Sequence, residues 1–305
     1  MTLGSPSSAA TVPRAKLFRV WLIAARIPTL YVGIAPVLVG TAIAIHRGAF
    51  HPWAALGALI VALCVQVGTN FSNDALDFIR GADTALRRGP LRVSAGGLLT
   101  PGQVAAGAAA CYGAASLVGL AFALRYGWPV VLVGVLAIAA GIGYTAGPWP
   151  LGYHGLGELF VFVFFGVVAV VGTAYVQTGS ISALAAAASV PVGLLATAVL
   201  VVNNLRDIET DRTAGKRTLA VRMGYRGTKV LYAACLVGAF AAIGCMRAWD
   251  FTGPWFWLPW LAVPLAASLA RAVAGSAGAP ALNLALRKTA ELHLLFALLL
   301  AASVL

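Results

Sequence analysis

The sequence predicts an all-α, multi-pass membrane protein with nine transmembrane helices, and three observations lead there. The first is composition. Hydrophobic residues make up 61% of the chain and charged residues 10%, whereas a soluble domain carries about 25% charged residues. Such a chain has too little polar surface to face water all round. The second is the spread of apolar stretches, each close to the roughly 20 residues that cross a bilayer. They fall at 27–46, 53–73, 103–124, 128–146, 156–177, 185–207, 229–247, 254–274 and 288–305. The third is charge asymmetry. Nine spans place 18 of the 21 Lys and Arg residues on the side of the amino terminus, leaving only Arg47, Arg125 and Arg247 opposite. One missed span would scramble that pattern, and the pattern puts the amino terminus in the cytoplasm.

The elements follow in order. Residues 1–13 are small and polar and read as a flexible tail; residues 14–305 read as a single membrane-embedded domain. No short apolar core with a cleavage site precedes the first span, so no removable signal peptide is expected. The stretch near 14–26 mixes Arg14, Lys16 and Arg19 with Leu17, Phe18, Val20 and Trp21 and suits a helix lying along the interface. The second span ends in an acidic motif. The third and fourth are joined by a tight Arg125–Trp128 turn. A Gly- and Pro-rich loop precedes the fifth, a second acidic motif ends the sixth, and prolines interrupt the eighth.

The net charge of +12 does not signal nucleic acid, because the bases lie between spans and no basic face alternates with stacking aromatics. Cys64, Cys111, Cys235 and Cys245 form no CxxC pair and read as free membrane thiols. His46, His51, His154 and His293 do not cluster, so a zinc site is not expected.

Six of the nine acidic residues sit in two short stretches: Asp74, Asp77 and Asp83, then Asp207, Glu209 and Asp211. Carboxylates beside membrane spans are costly and mark function. The first stretch runs Asn70-Phe71-Ser72-Asn73-Asp74-Ala75-Leu76-Asp77. On a helix, Asn73, Asp74 and Asp77 point the same general way. In the second, Asn203, Asp207 and Asp211 recur every four residues and form one column, with Glu209 off that face. Two such columns facing each other would repel. An oxygen-preferring divalent cation removes the repulsion, and Mg²⁺ bridges readily to phosphate oxygens. Arg80, Arg87, Arg88 and Arg92 follow the first column and Arg212, Lys216 and Arg217 the second. Carboxylates, metal and bases together suit a diphosphate. For Arg87, Arg88, Arg217 and Arg222 the orientation rule alone is a sufficient reason. The loop from Tyr144 to Glu158 lies on the same side without any Lys or Arg, and its Gly and Pro density implies a fixed turn. Tyr144 is either an interface anchor or a ring presented to a cation.

These residues resemble the UbiA superfamily of intramembrane aromatic prenyltransferases, and within it the 1,4-dihydroxy-2-naphthoate polyprenyltransferases of menaquinone synthesis. The likeness is carried by Asn73-Asp74-x-x-Asp77 with Phe78-Ile79-Arg80-Gly81-Ala82-Asp83, by the Tyr144–Glu158 loop, by Asn203-Asn204-x-Arg206-Asp207-x-x-x-Asp211 with Gly215-Lys216-Arg217-Thr218, and by Arg26-Ile27-Pro28-Thr29. The superfamily's further acid, four residues after Asp77, is here Gly81, and the acid stands at Asp83, as in the naphthoate branch. The resemblance implies a nine-helix bundle around a central cavity open to lipid. It implies Mg²⁺ held through Asn73, Asp74, Asp77, Asp207 and Asp211. It further implies diphosphate and acceptor contacts from Arg26, Asn70, Arg80, Asn203, Arg206 and Lys216, and a cation-stabilising Tyr144. The partners it implies are polyprenyl diphosphate, 1,4-dihydroxy-2-naphthoate and membrane lipid.

Three other readings remain open at this stage. One is a related prenyltransferase with another acceptor, such as 4-hydroxybenzoate. A second is a CDP-alcohol phosphotransferase, whose Asp-Gly and Ala-Arg positions are absent after Asp74 and Asp77. The third, not an enzyme, is a divalent cation transporter. Transporters place charges near mid-bilayer on broken helices, whereas here the acids end spans beside bases.

Overall fold

The structure, a computed structural model, describes residues 14–81, 89, 91–246, 253–276 and 278–305, with side chains from Leu17 onward. The 1–13 tail, Asp83, Arg87, Arg88, Arg247 and the side chains of Arg14 and Lys16 lie outside what is described.

All regular structure among the described residues is helical, in ten helices rather than nine. The added one is α1, Arg14–Ala25, on the stretch expected at the interface. Its Leu17, Phe18, Leu22 and Ile23 are exposed, while Ala24 and Ala25 are buried and Trp21 packs on Phe71 with ring centroids 5.2 Å apart. Helix α2, Ile27–His46, follows after a single residue, Arg26, whose backbone is left-handed at φ 54°. Helix α3, Pro52–Ile79, is longer than expected and carries the whole first acidic motif in helical geometry. Helix α4, Pro101–Tyr126, opens with a capping box between Thr100 and Gln103, so its first amides are satisfied by side chains. Gly127 at φ 80° makes the tight turn into α5, Trp128–Gly143.

Helix α6, Gly157–Thr178, contains a π-helical stretch, Phe162–Val168. Beside that stretch Gly166 and Gly193 of α7 pass so close that a Cβ on Gly166 would lie 2.6 Å from the Gly193 Cα. Helix α7, Ala183–Thr213, has 31 residues. At 1.5 Å per residue it runs about 46 Å, beyond the roughly 30 Å hydrocarbon layer, so its last turns carry the second acidic motif past the apolar core. Helix α8, Leu219–Met246, breaks helical geometry at Gly224. Helix α9, Leu258–Ala274, begins as a 3₁₀ turn, where the prolines were expected to interrupt a span, and α10, Ala279–Val304, ends the chain.

Helix α7 is the central post. Its Leu195, Val201, Leu205 and Ile208 pack with Val39 and Ile43 of α2, Val170 of α6, Tyr232 and Phe240 of α8, and Phe296 of α10. The Tyr232 and Thr289 hydroxyls share a hydrogen bond of 2.8 Å, which removes one polar cost from that core. A second, smaller cluster joins α1, α3 and α4 through Ala24, Phe71, Ala75, Val104 and Tyr112. Outward, Leu117, Leu124, Trp53 and Trp128 are largely exposed, as residues facing lipid are. Six helices among the described residues are long and apolar enough to cross a membrane: α2, α3, α4, α6, α7 and α8. Helices α5 and α9 are apolar but shorter. The chain is a multi-pass membrane protein.

Candidate functional site

Both acidic motifs end long helices, and the Tyr144–Glu158 loop lies between them. Asp77, in the last turns of α3, is buried at 3% exposure. Its Oδ2 stands 2.7 Å from Arg92 Nη1. Its Oδ1 accepts from Lys216 Nζ at 3.0 Å and from the Tyr153 hydroxyl at 3.0 Å. The Tyr153 ring lies under two cations, Lys216 Nζ 4.9 Å and the Arg80 guanidinium 5.6 Å from its centroid. Arg80 also donates to the Gly147 carbonyl at 2.6 Å, and Arg217 N to the Tyr153 carbonyl at 3.0 Å. The motif ends and the loop are thus one hydrogen-bonded unit. Burial, and then the Asp77 charge, push the Tyr153 hydroxyl well above its usual range, so it remains a neutral donor.

The other members of the first motif have separate tasks. Asp74, 1% exposed, accepts from the Val93 amide at 3.1 Å and the Ser94 amide at 3.0 Å, one per carboxylate oxygen. It braces the segment that delivers Arg92, which also donates to the Asn73 carbonyl at 2.6 Å. Asn73 Oδ1 accepts from the Thr145 hydroxyl at 2.7 Å. Asn70 turns to the α1–α2 junction instead, donating to the Ala25 carbonyl at 3.0 Å and lying 3.1 Å from Thr29 Oγ1. There it holds the left-handed turn at Arg26, the one positive-φ residue other than glycine among those described. Backbone held in that region is costly and needs such support.

In the second motif Arg206, 2% exposed, grips Asp207 with Nε at 2.8 Å and Nη2 at 2.6 Å. The same guanidinium donates to Asn203 Oδ1 and to Asn283 Oδ1 of α10, each at 2.8 Å. Glu209 is an exposed partner of Arg212 at 3.1 Å. Asp211 is half-buried, and its carbonyl accepts the Lys216 amide at 2.9 Å. Tyr144, just past α5, is half-buried. Gly152 and Gly157 leave room for its ring: a Cβ on either would meet it at 2.8–2.9 Å. Burial, then Glu158, Asp211 and Asp77, raise the Tyr144 hydroxyl far above its usual range, and Arg26 opposes them. Charges from the α1–α2 junction, α3, α6 and α7 therefore act on this tyrosine.

Four participants were not singled out from the sequence. Arg92 was named only as one of four bases following the first column, with no partner assigned, and Tyr153 and Glu158 were only parts of a loop. Asn283 lies in no motif, and nothing local marks it. Beside Tyr153 a cleft of about 480 Å³ opens outward, lined by Arg80, His154, Arg217 and Arg222.

For a metal, the donors fit in kind. Asn73, Asp77, Asp207 and Asp211 offer only carboxylate and amide oxygens, which suit Mg²⁺. Among the described residues no three acidic, His or Cys side chains stand close enough together to hold an ion. Arg92, Lys216 and Arg206 supply the neutralising charge instead.

The model of the UbiA prenyltransferase family matches residues 33–294. A 1,4-dihydroxy-2-naphthoate octaprenyltransferase of Mycobacterium tuberculosis is 41% identical over 287 residues, covering 94% of this chain and 97% of the relative. One of the same name from Escherichia coli is 37% identical, covering 83% of this chain and 84% of the relative. The structure of a UbiA homolog from Archaeoglobus fulgidus bound to GPP and Mg²⁺ superposes with a TM-score of 0.65 at 14% identity, covering 93% of this chain and 99% of that one. That likeness bears on the fold alone. By the extent of the family match and by its curated relatives, the chain belongs to the UbiA prenyltransferase family.

Proposed function

We propose that the protein transfers a polyprenyl group from polyprenyl diphosphate to 1,4-dihydroxy-2-naphthoate, with loss of CO₂ and diphosphate, giving demethylmenaquinone. The observation that carries the transferase reading is the Lys216–Asp77 contact, which joins a base following the second motif to a buried carboxylate of the first. The names of the relatives support the acceptor. A cation transporter is disfavoured, because the carboxylates of such a path would not be closed by Arg and Lys.

Asn73, Asp77, Asp207 and Asp211 would hold Mg²⁺; Asp74, engaged at both oxygens, supports them by bracing the Arg92 segment. The metal, when bound, neutralises diphosphate charge as the allylic C–O bond breaks. Arg92, Arg206 and Lys216 exchange their carboxylate partners for phosphate oxygens, and Arg80 joins them in holding the leaving group. Asn203, bound to Arg206, and Arg26, whose charge acts on Tyr144, complete the polar contacts of this reading. Tyr144, kept neutral, turns its ring toward the allylic cation. The apolar helix walls exclude the water that would capture that cation. The naphthalene ring attacks the allylic carbon, and the carboxylate leaves as CO₂.

Nine crossings fit this reading: the six long spans with α5, α9 and α10, around a cavity open to lipid, while α1 lies at the interface. The motifs then face the cytoplasm of a bacterium, on the side of the bases. The test is purified protein with Mg²⁺, a labelled polyprenyl diphosphate and separate aromatic acceptors. Prenylated naphthoate is the expected product. Product only from 4-hydroxybenzoate would move the acceptor, and cation flux in vesicles without any prenylated product would overturn the enzyme.

A further inference from the structure

Glu158 is the second residue of α6 and is 7% exposed. Its Oε1 accepts from Asn204 Nδ2 at 2.9 Å. Its Oε2 is buried with no hydrogen-bond partner, and no Lys or Arg among the described residues forms an ion pair with it. A buried carboxylate oxygen without a partner is costly. The α6 amino terminus offsets part of that cost, since its free amides favour negative charge. Its chain neighbour and its partner place the group beside the site. Asn204 is the neighbour of Asn203, which Arg206 binds together with Asp207. The preceding Gly157 backs the Tyr144 hydroxyl so closely that a Cβ there would lie 2.9 Å from it.

We infer that Glu158 Oε2 is the contact for the acceptor ring, taking first the hydrogen bond and then the proton of the hydroxyl next to the carboxylate-bearing carbon. This rests on the transferase reading above. As that carbon bonds to the allylic carbon, the ring hydroxyl O–H bond breaks. Its proton goes to Oε2, and its electron pair forms the ring C=O. Loss of CO₂ then returns the carbon–carboxylate pair to the ring and the C=O pair to oxygen. That oxygen takes the proton back from Glu158, so the residue ends as it began. Asn204 fixes the carboxylate's orientation, and the neutral Tyr144 makes no competing claim on the proton.

The test compares wild type with Glu158→Gln, which keeps the size and the oxygen facing Asn204 but turns the acceptor oxygen into a donor. Loss of an acid–base group of this kind lowers kcat/KM for the naphthoate by about 10²-fold or more, while the KM for prenyl diphosphate and the Mg²⁺ concentration for half-activity stay within about twofold of wild type. Glu158→Asp, with its carboxylate retained, recovers part of the loss. Binding is measured by calorimetry without turnover, so a wild type that makes no prenylated product defeats the reaction assignment while the Glu158 contact is still read. The naphthoate whose adjacent hydroxyl is methylated should bind wild type at least about tenfold more weakly than the parent, and this arm serves if Glu158→Gln does not fold. Equal binding of both naphthoates overturns the inference. So does a Glu158→Gln enzyme with unchanged acceptor kinetics and a raised Mg²⁺ requirement, which would make the residue a metal ligand.

Discussion

Lys216 Nζ lies 3.0 Å from Asp77 Oδ1, joining residues 139 positions apart in the chain. The contact ties the segment after α7 to the last turns of α3, and the Tyr153 ring lies beneath the same ammonium. Together with Arg92 it sets two cations on one buried carboxylate. That is one cation more than the carboxylate needs, so the cluster carries positive charge ready for a phosphate group.

Asp77→Asn therefore leaves Arg92 and Lys216 facing a neutral amide. Turnover should fall by about 10²-fold or more. The melting temperature in detergent should fall too, since breaking a buried pair by removing one partner is destabilising. Steady-state prenyl transfer and thermal unfolding measure the two effects. A variant with wild-type turnover would remove Asp77 from the site.

Tyr153→Phe removes one hydroxyl donor to Asp77 and keeps the ring under Arg80 and Lys216. Its kcat should drop by about tenfold or more, in line with roughly 1.5–3 kcal/mol for one hydrogen bond to a charged group. Tyr153→Ala, which also removes the ring, should lose more. Equal kinetics in the two variants would mean that the hydroxyl carries the whole effect.

Asp74→Asn should loosen residues 91–99, because an amide side chain offers one acceptor where the Val93 and Ser94 amides use two. Faster hydrogen exchange there, with a Mg²⁺ dependence unchanged from wild type, marks a brace. A Mg²⁺ half-saturation raised by about tenfold would instead mark a ligand.

Glu209→Ala should leave both turnover and stability close to wild type, within about 0.5 kcal/mol, since its ion partner is the exposed Arg212. A large loss of activity would show that this acid reaches the substrate in the working state.

Tyr144 and Tyr153 should remain protonated through pH 10, where an ordinary tyrosine is half ionised. The sign follows from linkage. Their raised values mean that the folded protein holds these protons more tightly than the unfolded chain. The stability tied to them is full below about pH 10 and is lost as pH climbs toward the folded values. Ultraviolet titration of phenolate absorbance should therefore show at least two fewer ionising tyrosines in wild type than in unfolded protein at pH 10–11. Early ionisation of both would contradict the enclosed setting of the two hydroxyls.

The all-helical membrane architecture and the two acidic stretches were legible in the sequence, because hydropathy and helical spacing are local properties of the chain. Glu209 was legible too, lying off the Asp207 and Asp211 face. Helix α1 was foreseen as an interfacial stretch and left outside the nine predicted spans. Only the tertiary structure decided the partners: Asp74 with the 93–94 amides, Asp77 with Arg92, Lys216 and Tyr153, Arg206 with Asn283, and Glu158 with Asn204. Those choices depend on how long helices pack, which brings together side chains that no local spacing relates. Carboxylates with the same residue type and the same helical register thus acquired different tasks, one bracing a segment and another gathering cations.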